Sequence, residues 1–482
     1  MLLHLALLLG SPAQPSAVAL PPAAAHVGRS ATPLASAIVA AVTPQLQQLS
    51  AQHGNSSWAF AYRDADTSVE LCAGYSDVAA RTACRPAADR YAWGSTTKPY
   101  TATLVLQLLQ RGAIGSLDDS AAAHINPYLR AISANASDLY ELFAEPAGAM
   151  RAVTVRHLLQ MQSGIQEFDD PFVRQWQNAD EHRAADYSPE WVLRTMNRTF
   201  SFAPGSSGGY SSTNYVLLGL LAARYAGAAN WDRLDQASWM ASPVDRRADF
   251  GTTLFAAHGL LENFTTAVAG QRGASVHGYQ PVCRQPPPPP PQQSPHPQPP
   301  HAPLRSESQC VWPNQSDVHN MSSSQGWTCG NMVAAPRDVA RFFWELLGPP
   351  SANASSALLA PPALAAMRTF VPGPYFGARH PFGYGLGLMN FTSMNWGYQN
   401  HGEFIGHNGL TYGFGAQSGY NYDLRFASAL VNNAEHWIGP DSHGSGDNAL
   451  YAALVQAVKR FRPPSRRPSA SVVADADADA GE

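Results

Sequence analysis

The ten residues TLVLQLLQRG, Thr103 to Gly112, carry apolar side chains nearly all round a helical projection and stop at a glycine. A helix without a polar face has to be covered on every side, so the chain must build its fold around this segment. Two residues separate it from the preceding stretch WGSTTKPY, in which Ser95 and Lys98 are three residues apart. Positions i and i+3 of a helix share a face, which brings hydroxyl and amine within reach at the mouth of a central helix. Of the 31 Lys plus Arg residues only Lys98 and Lys459 are lysines. Arginine stays protonated and has no acceptor, whereas a desolvated lysine can release its proton. A nucleophile beside an amine that trades protons is the functional reading of Ser95 and Lys98. A surface lysine left by chance is the plain alternative.

The 482 residues, 45% of them hydrophobic, permit one large α/β unit with insertions as readily as two or three domains. A net charge of −4 and a pI near 6.5 leave no basic footprint, so nucleic acid is not an expected partner. No apolar run has the length of a membrane span. Neither a Cys-x-x-Cys pair nor a His-x-x-x-His cluster occurs, and no metal or cofactor is expected.

Export is expected on three grounds. Residues 1–25, beginning MLLHLALLLG and followed by small residues, read as a signal peptide that lacks a positive n-region. Eight of twenty asparagines open an Asn-x-Ser/Thr sequon: Asn55, Asn135, Asn197, Asn263, Asn314, Asn320, Asn353 and Asn390. Chance alone would give roughly three, which points to a glycosylated, secreted or vacuolar chain, with a Ser-rich composition as the plain alternative. Of the five cysteines, Cys72 and Cys84 are spaced to close a short loop in an oxidising compartment; two of Cys283, Cys310 and Cys329 are able to pair, leaving one free.

Along the chain, PLASAIVAAVTPQLQQLSAQHG predicts a helix, and SWAFAYRD with SVELCAGYSD a hairpin. Helix-forming sequence dominates from about residue 116 to Gly227. Residues 284–309 include RQPPPPPPQQSPHPQPPHAP, a polyproline insertion that cannot join a core. GYGLGLMNF, FIGHNGLTYG and AQSGYNYDLRFASALVNNA read as consecutive strands with glycine turns, NALYAALVQAVKRF as a closing helix, and 462–482 as a disordered tail. The expected fold is α/β of the α+β type: one antiparallel sheet assembled from both chain ends, flanked by helices, with an inserted helical subdomain.

Ser-x-x-Lys alone is a weak motif, but it stands here in a series. WGSTTKPYTATLVLQLLQRGAIGSLDD is followed in order by VTVRHLLQMQSGI, FAPGSSGGYSSTNYVLLGLL, NMVAAPRDVARFF and YGLGL…GHNGLTYGF. With these blocks the chain resembles the serine β-lactamase-related superfamily, near class C β-lactamases, D-alanyl-D-alanine carboxypeptidases and related esterases. The resemblance spans residues 33–461 apart from the insertion. It implies the β-lactamase/transpeptidase-like fold, Ser95 as acylated nucleophile, Lys98 as proton acceptor or activator, and Tyr210 as base and proton shuttle. It further implies that His407, Asn408 and Gly409 take the place of the family's Lys-Thr-Gly strand, and that the N–H groups of Ser95 and Leu410 form an oxyanion hole. Physically, a serine needs a neighbour to take its proton, and donors at a helix start favour the charge of a tetrahedral intermediate. Sequence does not decide whether Lys98 or Tyr210 is the base.

The chain departs from the family's pattern at two points. Ser212 replaces the asparagine of Tyr-x-Asn, which steadies the lysine and contacts a substrate amide; this weakens the expectation of peptide or β-lactam recognition more than that of ester cleavage. Asn214, two positions on, is not promoted to that role. Met161 stands where relatives often carry histidine and reads as a supporting residue. GSSGG at 205–209 formally offers Ser207 as a rival nucleophile but lacks the preceding strand and following helix. The expectation is a secreted serine hydrolase of small esters or amides, esterase- or carboxypeptidase-like. The alternative is an inactive binding or scaffolding protein on the same fold.

Overall fold

A computed structural model describes residues 23–27, 32–133, 135, 137–143, 148–169, 182, 184–237, 252–258, 276–283, 310–322, 324–348, 358–372, 383–393, 401–436, 438 and 446–462. The 1–25 leader lies almost wholly outside these residues, as do the polyproline insertion and, but for Arg462, the tail.

β1 (Ala24–Val27) pairs antiparallel with β3 (Ser68–Ala73), so the leader boundary expected at residue 25 falls inside a strand. β2 (Trp58–Arg63) and β3 form the expected hairpin, from Trp58↔Ala73 to Arg63↔Ser68. Its turn is closed by Asp64, whose carboxylate accepts from the backbone N–H groups of Asp66 at 2.8 Å and Thr67 at 2.7 Å, as an aspartate turn does. β4 (Tyr75–Asp77) and β5 (Thr82–Ala83) pair beyond it, and Cys72 and Cys84 are joined in a disulfide.

β6 (Tyr91–Ala92), β7 (Leu254–Phe255) and β10 (Met332–Ala334) make a small sheet in the order β6-β10-β7. β8 (Tyr279–Cys283) and β9 (Cys310–Asp317) form a separate pair. The C-terminal part adds β11 (Val371–Pro372), β12 (Gly383–Tyr384), β13 (Met389–Asn390), β14 (Phe404–Thr411), β15 (Phe414–Asn421) and β16 (Phe426–Asn432). The main sheet runs β1-β3-β2-β16-β15-β14-β13-β12-β11, all antiparallel. Both chain ends therefore supply it, as expected from the sequence.

Strands β15 and β16 are buried at every position, which requires cover on both faces. Tyr420 and Asn421, successive residues on opposite faces, show the two layers. The Tyr420 ring packs against Trp344 of the helix Pro336–Leu347, and Asn421 donates to the Tyr451 hydroxyl of the helix Gly446–Lys459 at 2.9 Å. The helix Pro33–Gln52 packs beside the latter.

The apolar segment at the heart of the sequence forms the helix Thr97–Gln110, buried at every position from Thr97 to Leu108. Pro99 is accommodated because first-turn N–H groups have no intrahelical partner. Gly112 ends the helix region at a φ of +70°. The inserted helical region follows, with helices Ala121–Ile132, Leu139–Leu142, Ala149–Ala152, Val155–Leu159, Pro189–Thr195 and Thr213–Tyr225.

Two local expectations need correction. GYGLGLMNF is not one strand but β12 and β13, separated by a turn in which Gly387 takes a φ of +77°. The turn between β15 and β16 is not made by glycine: Arg425 adopts a φ of +56°. Of the sequons, Asn135, Asn197 and Asn320 are exposed, while Asn55 and Asn390 are partly covered. Asn263 and Asn353 lie outside the described residues, and Asn314 is described only as backbone in β9.

Candidate active site

Ser95 sits in the single 3₁₀ turn Gly94–Thr96 that opens into the central helix. The small sheet fixes this turn: the Trp93 N–H donates to the Met332 carbonyl at 3.0 Å, and its indole N–H to the Ala334 carbonyl at 2.9 Å. From the other side β14 presses against it. A Cβ on Gly409 would lie 2.0 Å from the Trp93 carbonyl oxygen, and one on Gly94 2.7 Å from that of Leu410. Contacts that short exclude any side chain. The two glycines are thus required for β14 to bring Asn408, Gly409 and Leu410 against the backbone of Ser95.

Lys98 is completely buried, one helical turn from Ser95. Its Nζ donates to the Ser95 Oγ at 2.9 Å, to the Ser212 Oγ at 3.2 Å and to the Cys329 carbonyl at 3.2 Å. Burial pushes this amine below the ordinary lysine range, and the nearby Cys329, Glu167 and Asp169 only partly oppose the shift. Ser212 therefore makes the lysine contact expected of the family's asparagine, despite its shorter side chain. Asn214 does not reach the site: it is buried, accepts from the Ser163 hydroxyl at 2.6 Å and donates to the Met161 sulfur at 3.4 Å. Met161 also accepts the Ser211 N–H at 3.4 Å, a supporting contact beneath the tyrosine loop.

Tyr210 lies on that loop, with its ring centroid 4.9 Å from the lysine Nζ. Burial raises its phenol well above the usual value, and the nearby Ser95 and Ser212 hydroxyls oppose this. The loop is held by Gln166, whose carbonyl accepts from the Ser211 and Thr213 hydroxyls at 3.0 and 2.8 Å.

His407 is fully buried in β14. One ring nitrogen, Nδ1, faces the Asn408 carbonyl and so carries a proton; the other, Nε2, then accepts from the Tyr384 hydroxyl at 3.1 Å. Burial, and next the charge of Lys98, push the imidazole down to about 3. The ring is therefore neutral, unlike the lysine of a Lys-Thr-Gly strand. Between about pH 3 and 6.5 the unfolded chain binds a proton here that the folded chain does not, so stability falls as pH drops below 6.5. His407→Gln is expected to flatten the loss of stability between pH 6.5 and 4, by up to about 1.4 kcal/mol per pH unit. Denaturant unfolding of both proteins at several pH values measures the two slopes; identical slopes would remove His407 as their cause.

All four residues expected to carry chemistry thus converge, and Ser212, Asn408, Gly409 and Leu410 surround them. The rival Ser207 is exposed on a turn away from any strand. His157 serves its own helix, exchanging hydrogen bonds with Thr154 in a capping box.

The sequence reading missed two residues. Glu167 is a half-buried carboxylate whose Oε2 accepts the Ser212 N–H at 2.8 Å. Burial raises its pKa first and Asp169 second, while the Ser212 N–H and Lys98 hold it down. The acidic cluster in SGIQEFDD was its only signal in the chain. Tyr384, the hydroxyl on His407, had none beyond the motif YGLGL. Among the described residues no group of His, Cys, Asp and Glu side chains is arranged to hold a metal ion, and no helix is long and apolar enough to cross a membrane.

The pattern that defines the Beta-lactamase family matches residues 42–453. The chain belongs to that family. Solved structures with the beta-lactamase-family fold resemble it over most of its length. A D-stereospecific amidohydrolase from Streptomyces sp. is 24% identical, covering 82% of this chain and 94% of its own, with a TM-score of 0.56. The D-amino acid amidase from Ochrobactrum anthropi SV3, complexed with L-phenylalanine amide, is 19% identical over 88% of this chain and 99% of its own, at a TM-score of 0.60. An octameric penicillin-binding protein homologue from Pyrococcus abyssi is 19% identical over 89% and 78%, at 0.55. At these identities the structures testify to the fold alone. In this member of the beta-lactamase family, the Ser-x-x-Lys helix, the tyrosine loop and strand β14 meet in one cluster.

Proposed function

We propose that this chain is a serine hydrolase that forms an acyl-enzyme on Ser95, with small amides or esters of amino acids as substrates. The observation that carries the reading is the wholly buried Lys98 amine 2.9 Å from the Ser95 hydroxyl. Lys98 is pushed toward its neutral form and Tyr210 toward its protonated one. This supports Lys98 as the acceptor of the serine proton and Tyr210 as a donor.

As Oγ attacks the substrate carbonyl, its proton moves to Nζ. The N–H groups of Ser95 and Leu410 take the oxyanion, Tyr210 protonates the departing amine or alkoxide, and the proton on Lys98 then restores the phenol. Water hydrolyses the acyl-enzyme by the same steps in reverse. Neutral His407, held by Tyr384, offers polarity beside β14 without placing a second cation against Lys98.

Glu167 and Asp169 put two carboxylates near a single, easily neutralised lysine, a setting that favours a cationic substrate group. A free α-amino group answers that charge, and D-amino acid amidases are among the proteins of similar fold. Turnover is to be measured on D- and L-amino acid amides, p-nitrophenyl esters, nitrocefin and a D-Ala-D-Ala peptide. Hydrolysis of none of them by folded protein would support the scaffold reading. Glu167→Gln is expected to lower kcat/KM on amides with a free amino group by roughly tenfold or more, with a smaller effect on their N-acetyl counterparts. An equal loss on both would assign Glu167 to holding Ser212 and Lys98 instead.

We further propose that the chain is glycosylated and routed through the secretory pathway. The Cys72–Cys84 disulfide and the exposed sequons at Asn135, Asn197 and Asn320 support this. Glycosidase treatment of protein from a eukaryotic host should lower its apparent mass, and a chain indifferent to the enzyme would count against it.

A further inference from the structure

We propose that Cys283 and Cys310 form a second disulfide, closing the proline-rich segment 284–309 into a covalent loop. The two cysteines are the last paired residues of β8 and β9 and stand directly opposite one another in an antiparallel ladder. Directly opposed residues in such a ladder share a face, with Cα atoms about 4.5 or 5.5 Å apart, and both values fall inside the range a disulfide spans.

The register is pinned at the root of the hairpin. Tyr279, only 4% exposed, donates its N–H to the Asn433 carbonyl at 3.0 Å and its Oη accepts the Val78 N–H at 2.8 Å. Across from it the Val318 N–H donates to the Gly278 carbonyl at 2.9 Å. Between Pro281 and Val282 the pairing passes from Gln315 to Val311, a bulge that leaves residues 312–314 outside the ladder, and beyond it Val282↔Val311 and Cys283↔Cys310 follow in register.

The other cysteines are committed elsewhere. Cys72 and Cys84 are bonded to each other. Cys329 is buried under Lys98, and its thiol donates to the Gly326 carbonyl at 2.7 Å. Burial pushes that thiol up to about 12, which leaves almost no thiolate to react at neutral pH.

A two-stranded ribbon is marginal by itself in water, and the bond would hold the two strands together where the polyproline segment leaves them. It would form by exchange with a protein disulfide of an oxidising compartment. The thiols give up two protons and two electrons, and the oxidant leaves as a dithiol.

The test uses protein secreted from a eukaryotic host, alkylated under denaturing, non-reducing conditions and mapped by mass spectrometry. The expected result is alkylation of Cys329 alone and a linked peptide joining Cys283 to Cys310. Trypsin cleavage at Arg284 or Arg305 should then give fragments that separate on gels only after reduction, and that separate without reductant in Cys283→Ser/Cys310→Ser. Alkylation of Cys283 and Cys310 in the parent protein, or a link from either to Cys329, would overturn the proposal. Mapping of the parent decides the question even if the variant does not fold, and its outcome is independent of whether the chain hydrolyses anything.

Discussion

Lys98→Arg is expected to keep the positive charge and lower hydrolysis by roughly a hundredfold or more, the scale on which positioned proton-transfer groups act. The amine is fully buried with three acceptors at 2.9, 3.2 and 3.2 Å, and burial drives it toward neutrality. A guanidinium offers donors but no lone pair, so it can orient Ser95 without taking its proton. The parent's rate should rise with pH as Lys98 deprotonates, and that limb should vanish in the variant. A guanidinium is also larger than the fully buried ammonium it replaces, and overpacking is expected to cost about 1–3 kcal/mol of stability, so melting must be followed beside kinetics. Unchanged turnover by Lys98→Arg would mean that the amine's proton takes no part in the reaction.

Ser95→Ala should be more damaging still, with turnover reduced by roughly 10⁴-fold or more, because the covalent route is gone. The hydroxyl sits on a turn fixed by backbone contacts of Trp93, Gly94 and Gly409 rather than by its own side chain. Folding should therefore survive the substitution, with a loss of about 1 kcal/mol for the hydrogen bond from Lys98. A fluorophosphonate should label the parent at Ser95 and leave the variant unmodified. Labelling that persists in Ser95→Ala would place the nucleophile elsewhere, and a folded parent that takes no label would favour the scaffold.

Much of this site was readable because its pieces are local. Ser95 and Lys98 lie one helical turn apart, so spacing alone predicted their contact. Tyr210 and His407 were found through short ordered blocks around them. The main sheet was foreseen from short apolar, β-forming runs bounded by turn residues at both chain ends, a local pattern that strands buried on both faces still carry. Turn geometry was less legible: Arg425 takes a left-handed conformation that glycine usually marks, and Gly387 breaks an apparent strand into two.

By itself the sequence determined that a helix with no polar face must lie at the centre, with a serine and a proton-trading lysine at its start. Hydrophobic covering and helical periodicity demand as much of those residues wherever they are placed. Only the tertiary structure decided that Ser212 reaches Lys98, that Glu167 comes beneath the Ser212 N–H, that Tyr384 caps His407, and that Cys283 pairs with Cys310 in the β8–β9 ladder. Each of these depends on how far-apart segments pack and on strand register, and the spacing of residues along the chain carries no record of either.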